Sequence, residues 1–419
     1  MGKSMTPRVW FKSISLENVR SFGRKETINF TKDGNAAQWN VILGDNGTGK
    51  TTVLRSACLF IVRRYKSHNI HIDLNSFFRN NKSSEIECNL EETNTGDSYN
   101  SKLNISNLQI GDKKKIYPAT HFPNEPNLVK YSEDKIPVLY AYGAARKISD
   151  GAISKDNQQI ESIFNDDIEL INAEEWIVQA DYLALKDGRF STKYQTVKRI
   201  LLQLFNSEIS DIYINTDSGT PKVYFKTNYG NVRLHELSLG YKTLIAWTVD
   251  FAKGLSDRYP DSENPLAEPA ICLVDEIDLH LHPKFQRNII QFLTETFPNT
   301  QFIVTAHSPL IVQSAGDANI ILLKRVGDEV HVENDPVDVR NWRLDQILSS
   351  ELFGIEDKTL QMRRERDKLL GKNVLSEQEQ NRLLELNAEL DSVPFSSDPA
   401  EMKAETIIHQ LAEALRDRM

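Results

Sequence analysis

A glycine-rich segment after a short apolar run constrains the fold of this chain most. The run at residues 41–43 is typical of a buried strand, and a helical pattern begins at Lys50. Between them the sequence GDNGTGKT, residues 44–51, has the spacing G-x-x-x-x-G-K-T. Its glycines let the backbone curl around phosphate oxygens, and the N-terminus of the following helix adds a positive dipole. The segment therefore predicts a strand, loop and helix that bind the phosphates of a nucleotide.

Two side chains of this loop have expected roles in binding charge and metal. Lys50 would neutralise the β- and γ-phosphates, and the Thr51 hydroxyl would bind Mg²⁺. The residues expected to surround the phosphates are Gly44, Asp45, Asn46, Gly47, Thr48, Gly49, Lys50, Thr51 and Thr52. The predicted ligand is therefore a nucleotide with Mg²⁺.

The segment LVDEIDLHLHP, residues 273–283, concentrates three carboxylates and two histidines. Apolar residues before Asp275 and Glu276 predict a buried parallel strand that ends in acids. Since ligands of open α/β sheets gather at the carboxyl ends of strands, both carboxylates are expected beside the phosphate loop. Asp275 would hold Mg²⁺ through water, and Glu276 would orient and partly deprotonate the attacking water. A transition-metal site that adds Asp278, His280 and His282 is the alternative.

A serine and a glycine before an apolar helical pattern indicate a second anion-binding turn. In the sequence LSLG, residues 237–240, Ser238 and Gly240 precede a pattern that continues to Phe251. The Ser238 hydroxyl and the backbone NH groups near Gly240 would be the donors. An ordinary helix N-cap is the alternative.

A histidine follows a further apolar strand pattern at residues 302–304. After it, Ser308 and Pro309 have the pattern of an N-cap and a first helical position. His307 would contact the γ-phosphate if this strand lies beside the one that ends at Asp275. A histidine bonded within the core is the alternative.

In this order, GDNGTGKT, LSLG, LVDEIDLHLHP and TAHSP resemble the ABC-type ATPase head of the Rad50, RecF, SMC and overcoming-lysogenization-defect class. The resemblance implies an α/β P-loop NTPase head with a mixed sheet, ATP as the nucleotide, and Glu276 and His307 as catalytic residues. It also implies head-to-head dimers in which Ser238 and Gly240 contact the nucleotide of the other subunit. Asp278 would face the partner's nucleotide as well. The glutamine of the Q-loop is absent from residues 73–81, where it is expected.

The chain divides into four parts on this interpretation. Residues 1–149 and 231–334 would form the two halves of the head, and residues 150–230 an inserted lid. Residues 335–419 are highly charged with helical patterns, and we expect them to bind a partner. In the last predicted helix of this region, a packed face would be formed by Ile407, Ile408, Leu411 and Leu415. A solvated helix is the alternative.

The lid is predicted to be compact. Helical patterns cover residues 166–185 and 192–205, and a two-strand pattern covers residues 211–227. These elements are far too short for the coiled-coil arm of Rad50 or SMC.

Two segments outside the motifs have open interpretations. Residues 11–30 alternate apolar and polar positions in two runs and predict a strand hairpin. Its residues 20–22, Arg-Ser-Phe, resemble a segment near the nucleotide in related heads, and a plain strand end is the alternative. Residues 138–148 predict a buried strand whose Arg146 faces either the phosphates or the surface.

Charge and cysteine content restrict the partners and the compartment. The formal net charge of −9 argues against non-specific binding of nucleic acid by the whole surface. Basic runs at residues 63–66 and 113–115 remain local candidates, with solvated loops as the alternative. The three cysteines lack paired spacing, which fits a reducing compartment. Because the chain shows neither a long apolar run nor a signal peptide pattern, we expect a cytoplasmic protein with no membrane contact.

The layout most resembles the stand-alone ATPase subunit of bacterial anti-phage systems such as Septu. That resemblance implies a homo-oligomeric ATPase that regulates a separate effector, an HNH-type nuclease, and that meets nucleic acid through the complex. One alternative is a RecF- or Rad50-like DNA-repair ATPase that acts directly on DNA, which the acidic charge disfavours. Another is an ATP-locked oligomeric scaffold.

Overall fold

The computed structural model describes most of the chain. The described residues are 7–62, 72, 74–80, 83–105, 137–148, 160–186, 188–205, 208–217, 219–334, 336, 342, 344–350, 352–353, 358–372 and 376–391. Both basic runs and the predicted last helix lie outside them. Two compact units are present, Met1–Leu344 and Asp345–Met419.

The first unit contains both strands and helices, and the described elements of the second are helices. The strands are β1 Val9–Glu17, β2 Glu26–Asn29, β3 Thr31–Lys32, β4 Asn35–Ala36, β5 Trp39–Gly44, β6 Ser84–Glu92, β7 Asp97–Ile105, β8 Leu139–Tyr142, β9 Lys147–Ile148, β10 Glu169–Leu170, β11 Ile209–Asn215, β12 Lys222–Thr227, β13 Gly230–Arg233, β14 Ala270–Val274, β15 Thr300–Thr305, β16 Asn319–Val326 and β17 Glu329–Glu333. The helices are α1 Lys50–Val62, α2 Ala173–Lys186, α3 Gly188–Leu204, α4 Leu239–Arg258, α5 Pro283–Gln286, α6 Ile289–Thr296, α7 Pro309–Ser314, α8 Leu344–Ser349, α9 Lys358–Leu370 and α10 Glu377–Asp391.

The central sheet has six strands in the order β17, β16, β5, β15, β14, β8. Neighbouring strands run parallel except β16 and β17, so the predicted α/β fold with a mixed sheet is confirmed. All residues of β8, β14 and β15 are buried, as is typical of strands covered on both faces. The carboxyl ends of β5, β15, β14 and β8 therefore meet at one edge of the sheet.

A second sheet is antiparallel, in the order β2, β1, β6, β7. The β1–β2 hairpin is the one that the sequence predicts, whereas the long β6–β7 hairpin is an addition. Helix α1 belongs to the same core as these strands, and all of it except Thr51 and Arg55 is buried. This burial fixes the helix whose first turn carries Lys50 and Thr51.

The segment predicted to be a lid, residues 150–230, contains α2, α3, β11 and β12, and β13 extends past its predicted end; the three strands form an antiparallel sheet. Its two helices and the β11–β12 pair are confirmed, and β13 is an additional strand. The helical prediction for residues 166–172 is wrong, because Asn172 caps α2 by accepting a hydrogen bond from the Glu175 NH at 3.1 Å. Just before it, β10 pairs in parallel with β9.

The second unit contains α9 and α10, which match the helical patterns of the sequence. They pack through Met362, Leu369 and Leu386. Arg382 donates to both carboxylate oxygens of Glu365 at 3.0 Å. Across the described part of the chain, no helix has the length and apolar character required to span a bilayer.

Candidate nucleotide-binding and catalytic site

The phosphate loop joins the carboxyl end of β5 to α1. Gly44, Gly47 and Gly49 all have positive φ angles, a conformation that glycine adopts without steric cost. A Cβ on Gly44 would lie 2.5 Å from the Leu323 carbonyl oxygen, and one on Gly49 would lie 2.4 Å from the Ser21 Oγ. Only glycine therefore fits at these two positions.

The Lys50 ammonium lies inside the curl of this loop. Its Nζ donates to the carbonyl oxygens of Gly44 and Asp45, at 2.7 and 3.0 Å. Burial lowers the pKa of Lys50, and the carboxylates of Asp275 and Glu276 oppose that shift. The cation is thus held where the loop would surround phosphate oxygens.

Three further contacts support the loop from outside. Ser21 donates to the Thr48 carbonyl oxygen at 3.5 Å, and the Phe22 ring lies against Gly49. Arg325, on β16, donates to the Gly47 carbonyl oxygen at 2.7 Å. The segment around Ser21 therefore lies beside the phosphate loop and is more than a plain strand end.

Asp275, which follows β14, is hydrogen-bonded both to Thr51 at the end of the phosphate loop and to Thr305 at the end of β15. Thr51 donates its hydroxyl to Asp275 Oδ2 at 2.7 Å, and Thr305 donates to Oδ1 at 2.6 Å. The Thr305 hydroxyl also accepts the Glu276 NH at 2.7 Å. Asp275 is only 4% exposed. Mg²⁺ prefers oxygen ligands such as a carboxylate and a hydroxyl, so Thr51 and Asp275 fit a magnesium site.

Arg146 supports the backbone of the acidic pair. The interpretation of Arg146 as a surface residue is wrong, because it is only 2% exposed. Its guanidinium donates to the carbonyl oxygens of both Asp275 and Glu276. Burial lowers the pKa of Arg146 from 12.5 to about 10, so it remains a cation at neutral pH. Glu276 has a φ of 49°, a left-handed conformation that costs roughly 1–3 kcal/mol and persists only where neighbours enforce it.

The turn after β14 is tied to the loop that carries His307. The backbone NH of His307 donates to the Asp278 carboxylate oxygens at 3.1 and 3.3 Å. Gln286 donates to the Leu281 carbonyl oxygen at 2.9 Å and accepts from Ser308 at 2.6 Å. The His307 side chain is exposed beside this network. Asp278 thus has a partner within its own chain.

His280 and His282 belong to the same turn. His282 is the N-cap of α5, where its Nδ1 accepts the Lys284 NH at 3.3 Å, and Pro283 is the first helical residue. His280 has a φ of 63°. Within the described residues, no group of three or more His, Cys, Asp or Glu side chains is arranged to hold a metal ion.

The LSLG turn lies against the other side of this acidic turn. A Cβ on Gly240 would lie 2.2 Å from the His280 carbonyl oxygen, so a side chain here would force the two turns apart. Ser238 is the exposed N-cap residue of α4, and its side chain makes no capping hydrogen bond. Lys50, Thr51, Asp275, Glu276, Asp278 and His307 thus form one connected group. Within the described residues, neither Ser238 nor Gly240 is hydrogen-bonded to it.

A buried pair links α4 to the strand next to β14. The Tyr142 hydroxyl, at the end of β8, donates to Asp250 Oδ2 at 2.8 Å. Burial raises the pKa of Asp250 from 3.8 to about 6, and the hydrogen bond from Tyr142 opposes that rise. The helix that begins at the LSLG turn is therefore anchored beside the acidic strand.

The sequence motifs did not identify Thr305 or Gln286 as parts of the site. A polar residue that ends a fully buried strand is the signal that could have identified Thr305. Residues 74–80, within the segment where the Q-loop glutamine is expected, lie against the turn after β1, with the Arg20 NH donating to the Phe77 carbonyl oxygen at 3.1 Å.

Known proteins resemble the chain over most of its length. The Septu protein PtuA of Bacillus mycoides (strain KBAB4) is 27% identical over 358 residues, which cover 83% of this chain and 45% of that protein. The chain thus spans less than half of that relative. A Vibrio cholerae protein named "Retron Vc95 probable ATPase" is 26% identical over 392 residues, covering 76% of this chain and 74% of that one.

Solved structures and a family model also match. The SMC head domain from Thermotoga maritima is 16% identical, with a TM-score of 0.40, covering 78% of this chain and 99% of that one. The family described as "AAA domain, putative AbiEii toxin, Type IV TA system" matches residues 39–313, a span that contains the phosphate loop, the acidic strand and His307. The chain belongs to this family and carries an AAA-type ATPase domain.

Proposed function

We propose that this protein is an ATPase that hydrolyses ATP at a head-to-head dimer interface and regulates a partner effector, an HNH-type nuclease, in bacterial anti-phage defence. The observation that supports the ATPase chemistry most directly is the contact of Thr51 with Asp275 at 2.7 Å. It brings the end of the phosphate loop to the end of the acidic strand, which a hydrolase of this kind requires.

Each residue of the connected group has a role in this proposal. The loop NH groups and Lys50 bind the phosphates of ATP, while Thr51 and Asp275 hold Mg²⁺. Bound Mg²⁺ would neutralise charge on the transferred phosphoryl group. Glu276 orients the attacking water and accepts its proton, and the exposed His307 side chain contacts the γ-phosphate. Arg146 and Thr305 hold the Glu276 backbone in position.

The dimer part of the proposal rests on the LSLG turn. Ser238 is exposed with no capping bond, and Leu239 beside it is 51% exposed. A polar donor and an apolar side chain left uncovered at a helix start suit contact with the ATP-bound face of a second copy, with Ser238 and Gly240 acting on the partner's nucleotide. Asp278 would face that nucleotide from the same surface.

The effector part rests on the relatives and on the layout. Septu and retron proteins are among the sequences that the chain resembles over more than three quarters of its length. We assign partner binding to residues 335–419 and the lid to residues 150–230, with residues 1–149 and 231–334 forming the head. In this proposal the complex is cytoplasmic and meets nucleic acid through its effector.

Mixing two inactive variants tests the shared site. Lys50→Ala disables the phosphate loop, and Ser238→Arg places a bulky cation on the LSLG turn. A heterodimer of the two contains one composite site with both intact surfaces. We expect an equal mixture to recover about a quarter of the wild-type ATPase rate, since half of the randomly formed dimers carry one of two sites. A mixture as inactive as its two components would contradict sites shared between subunits.

Isolation from the native host tests the effector. We expect affinity-tagged chain to copurify with a protein that has nuclease activity, and deletion of residues 335–419 to release that protein while ATP binding is retained. Mass spectrometry and a DNA-cleavage assay of the eluate are the measurements. Recovery of the intact chain without any nuclease would contradict the effector assignment and leave the ATPase assignment standing.

A further inference from the structure

A cavity that the phosphate loop does not line lies beside the acidic turn. Its volume is about 970 Å³, at the upper end of the range for small-molecule sites. It is bounded by the segment after β8, the start of α2, β13 with the turn that follows it, and the first turns of α4. Ser238 and Gly240 do not line it, whereas Leu239 and Lys242 do, so it lies on another face of the α4 start.

Positive charge dominates the lining of this cavity. Four cations contribute, namely Arg146, Lys147, Arg233 and Lys242, against the carboxylates Glu174 and Glu175. Glu174 pairs with Arg233 at 2.7 Å and so neutralises one of them. This excess of positive charge contrasts with the net charge of −9 on the whole chain. The local field therefore favours an anion.

Two buried guanidinium nitrogens in the lining lack an acceptor. Arg146 is only 2% exposed, and its Nη1 has no hydrogen-bond partner among the described residues. The Arg233 Nε is likewise buried without a partner in the described part of the chain. A buried donor without an acceptor destabilises the fold, and more so when it is charged. Both residues line the cavity, and a shift of either guanidinium toward it would place an anionic oxygen within reach of the unpaired nitrogen.

Apolar side chains complete the lining. Ile148, Val178, Leu234 and Leu239 also face the cavity, which is much larger than a single phosphate ion requires. A ligand that satisfies both parts of the lining has an anionic group for the arginines and lysines and a larger organic body for the apolar wall. A phosphate group fits guanidinium and ammonium donors together.

The lining is connected to both catalytic turns. Arg146 donates to the Asp275 and Glu276 carbonyl oxygens, and His280, also in the lining, has its carbonyl oxygen against Gly240. Arg146 thus supports the acidic pair, and His280 packs against the LSLG turn. A ligand that contacts both residues contacts both of these supports. Its binding energy would therefore couple to the positions of Glu276 and Ser238.

We propose that this cavity binds an organic phosphate of small-molecule size and that its occupancy regulates ATP hydrolysis. The site is separate from the phosphate loop and goes beyond the ATPase function proposed above.

Calorimetric titration in the Lys50→Ala background tests the site without interference from the phosphate loop. The probes are AMP, as an organic phosphate, and inorganic phosphate. We expect AMP to bind, and to bind more tightly than inorganic phosphate because only AMP reaches the apolar wall. Adding Lys242→Ala should weaken AMP at least about tenfold, the effect of losing one charge-assisted hydrogen bond, whereas Lys242→Arg should largely retain it.

Lys253→Ala is the matched control, since Lys253 lies on the same helix and pairs with Asp257 at 2.6 Å. It should bind AMP like its Lys50→Ala parent. Equal AMP affinity in the Lys242→Ala and Lys253→Ala variants would overturn the site, and equal affinity for AMP and inorganic phosphate would overturn the organic ligand. Thermal unfolding checks that each variant is folded.

The regulatory role is tested in the otherwise wild-type chain. AMP should change the ATPase rate at least about twofold, and Lys242→Ala should abolish this change. An unchanged rate would overturn the regulatory role alone.

Discussion

Lys50→Ala should abolish measurable ATP binding. The Lys50 Nζ is the cation inside the phosphate loop, held 2.7 Å from the Gly44 carbonyl oxygen. Removing it leaves the β- and γ-phosphates without their charge-assisted donor, and each such bond contributes roughly 1.5–3 kcal/mol. We expect affinity to fall about a hundredfold or more. Calorimetry or fluorescence titration with ATP and Mg²⁺ measures the change.

A control separates this effect from a general loss of charge or fold. Lys253→Ala removes a lysine on α4 that pairs with Asp257, and it should bind ATP like the wild type. Unfolding curves for the two variants should be similar, because the loss of the Lys50 ammonium leaves only loop carbonyl oxygens without a donor. ATP affinity that is undiminished in Lys50→Ala would show that the loop around Gly44 is not the nucleotide site.

Local sequence patterns were sufficient for the elements that carry the site. The apolar run before Asp275 predicts β14, and the Ser308-Pro309 pair predicts the start of α7, where Ser308 accepts the Leu310 NH at 3.2 Å. These predictions succeed because burial, capping and proline restriction act within a few residues. A local contact also explains the wrong helical prediction for residues 166–172. The helical pattern is continuous there, but Asn172 caps α2, so the helix begins only at Ala173.

Contacts between distant residues were not predictable from the same patterns. Thr51 meets Asp275 across 224 positions, and Arg146 reaches the Glu276 carbonyl across 130. They meet because β8, β14, β15 and β5 are neighbours in the sheet. Periodicity identifies a strand but gives no strand order, so the sequence left Arg146 either at the surface or at the phosphates. The structure puts it behind the acidic pair, a third position.

The predicted composite site has two halves, the phosphate loop with the acidic strand and the LSLG turn, and they make different contacts with the rest of the chain. The phosphate loop and the acidic strand are joined by hydrogen bonds within one chain, whereas the LSLG turn packs against the back of the acidic turn through Gly240. The Tyr142–Asp250 pair anchors the helix that follows. Direct packing therefore connects the acidic turn to the LSLG turn, and in the proposed dimer this connection would couple hydrolysis in one subunit to its contact with the other.

Glu276→Gln should retain ATP and lose turnover. Gln is nearly the same size as Glu, and the Glu276 NH and carbonyl contacts with Thr305 and Arg146 involve backbone atoms. The proposed Mg²⁺ ligands Thr51 and Asp275 are unchanged as well. The variant loses only the carboxylate that we propose accepts the proton of the attacking water, and general-base catalysis contributes about 10²–10⁴-fold. We expect kcat to fall by that factor while ATP affinity stays within about threefold of wild type.

Glu295→Gln is the matched control, because Glu295 is an exposed carboxylate on α6 that accepts a hydrogen bond from Gln291 at 2.9 Å. Its kcat should equal that of the wild type. An unchanged kcat in Glu276→Gln would assign the base to another residue. Loss of ATP binding together with kcat would instead mean that the Glu276 carboxylate maintains the site.

Retained ATP without hydrolysis should also favour the proposed dimer, since nucleotide then remains between the phosphate loop and the LSLG turn. Light scattering of Glu276→Gln should detect a larger dimer fraction with ATP than in its absence.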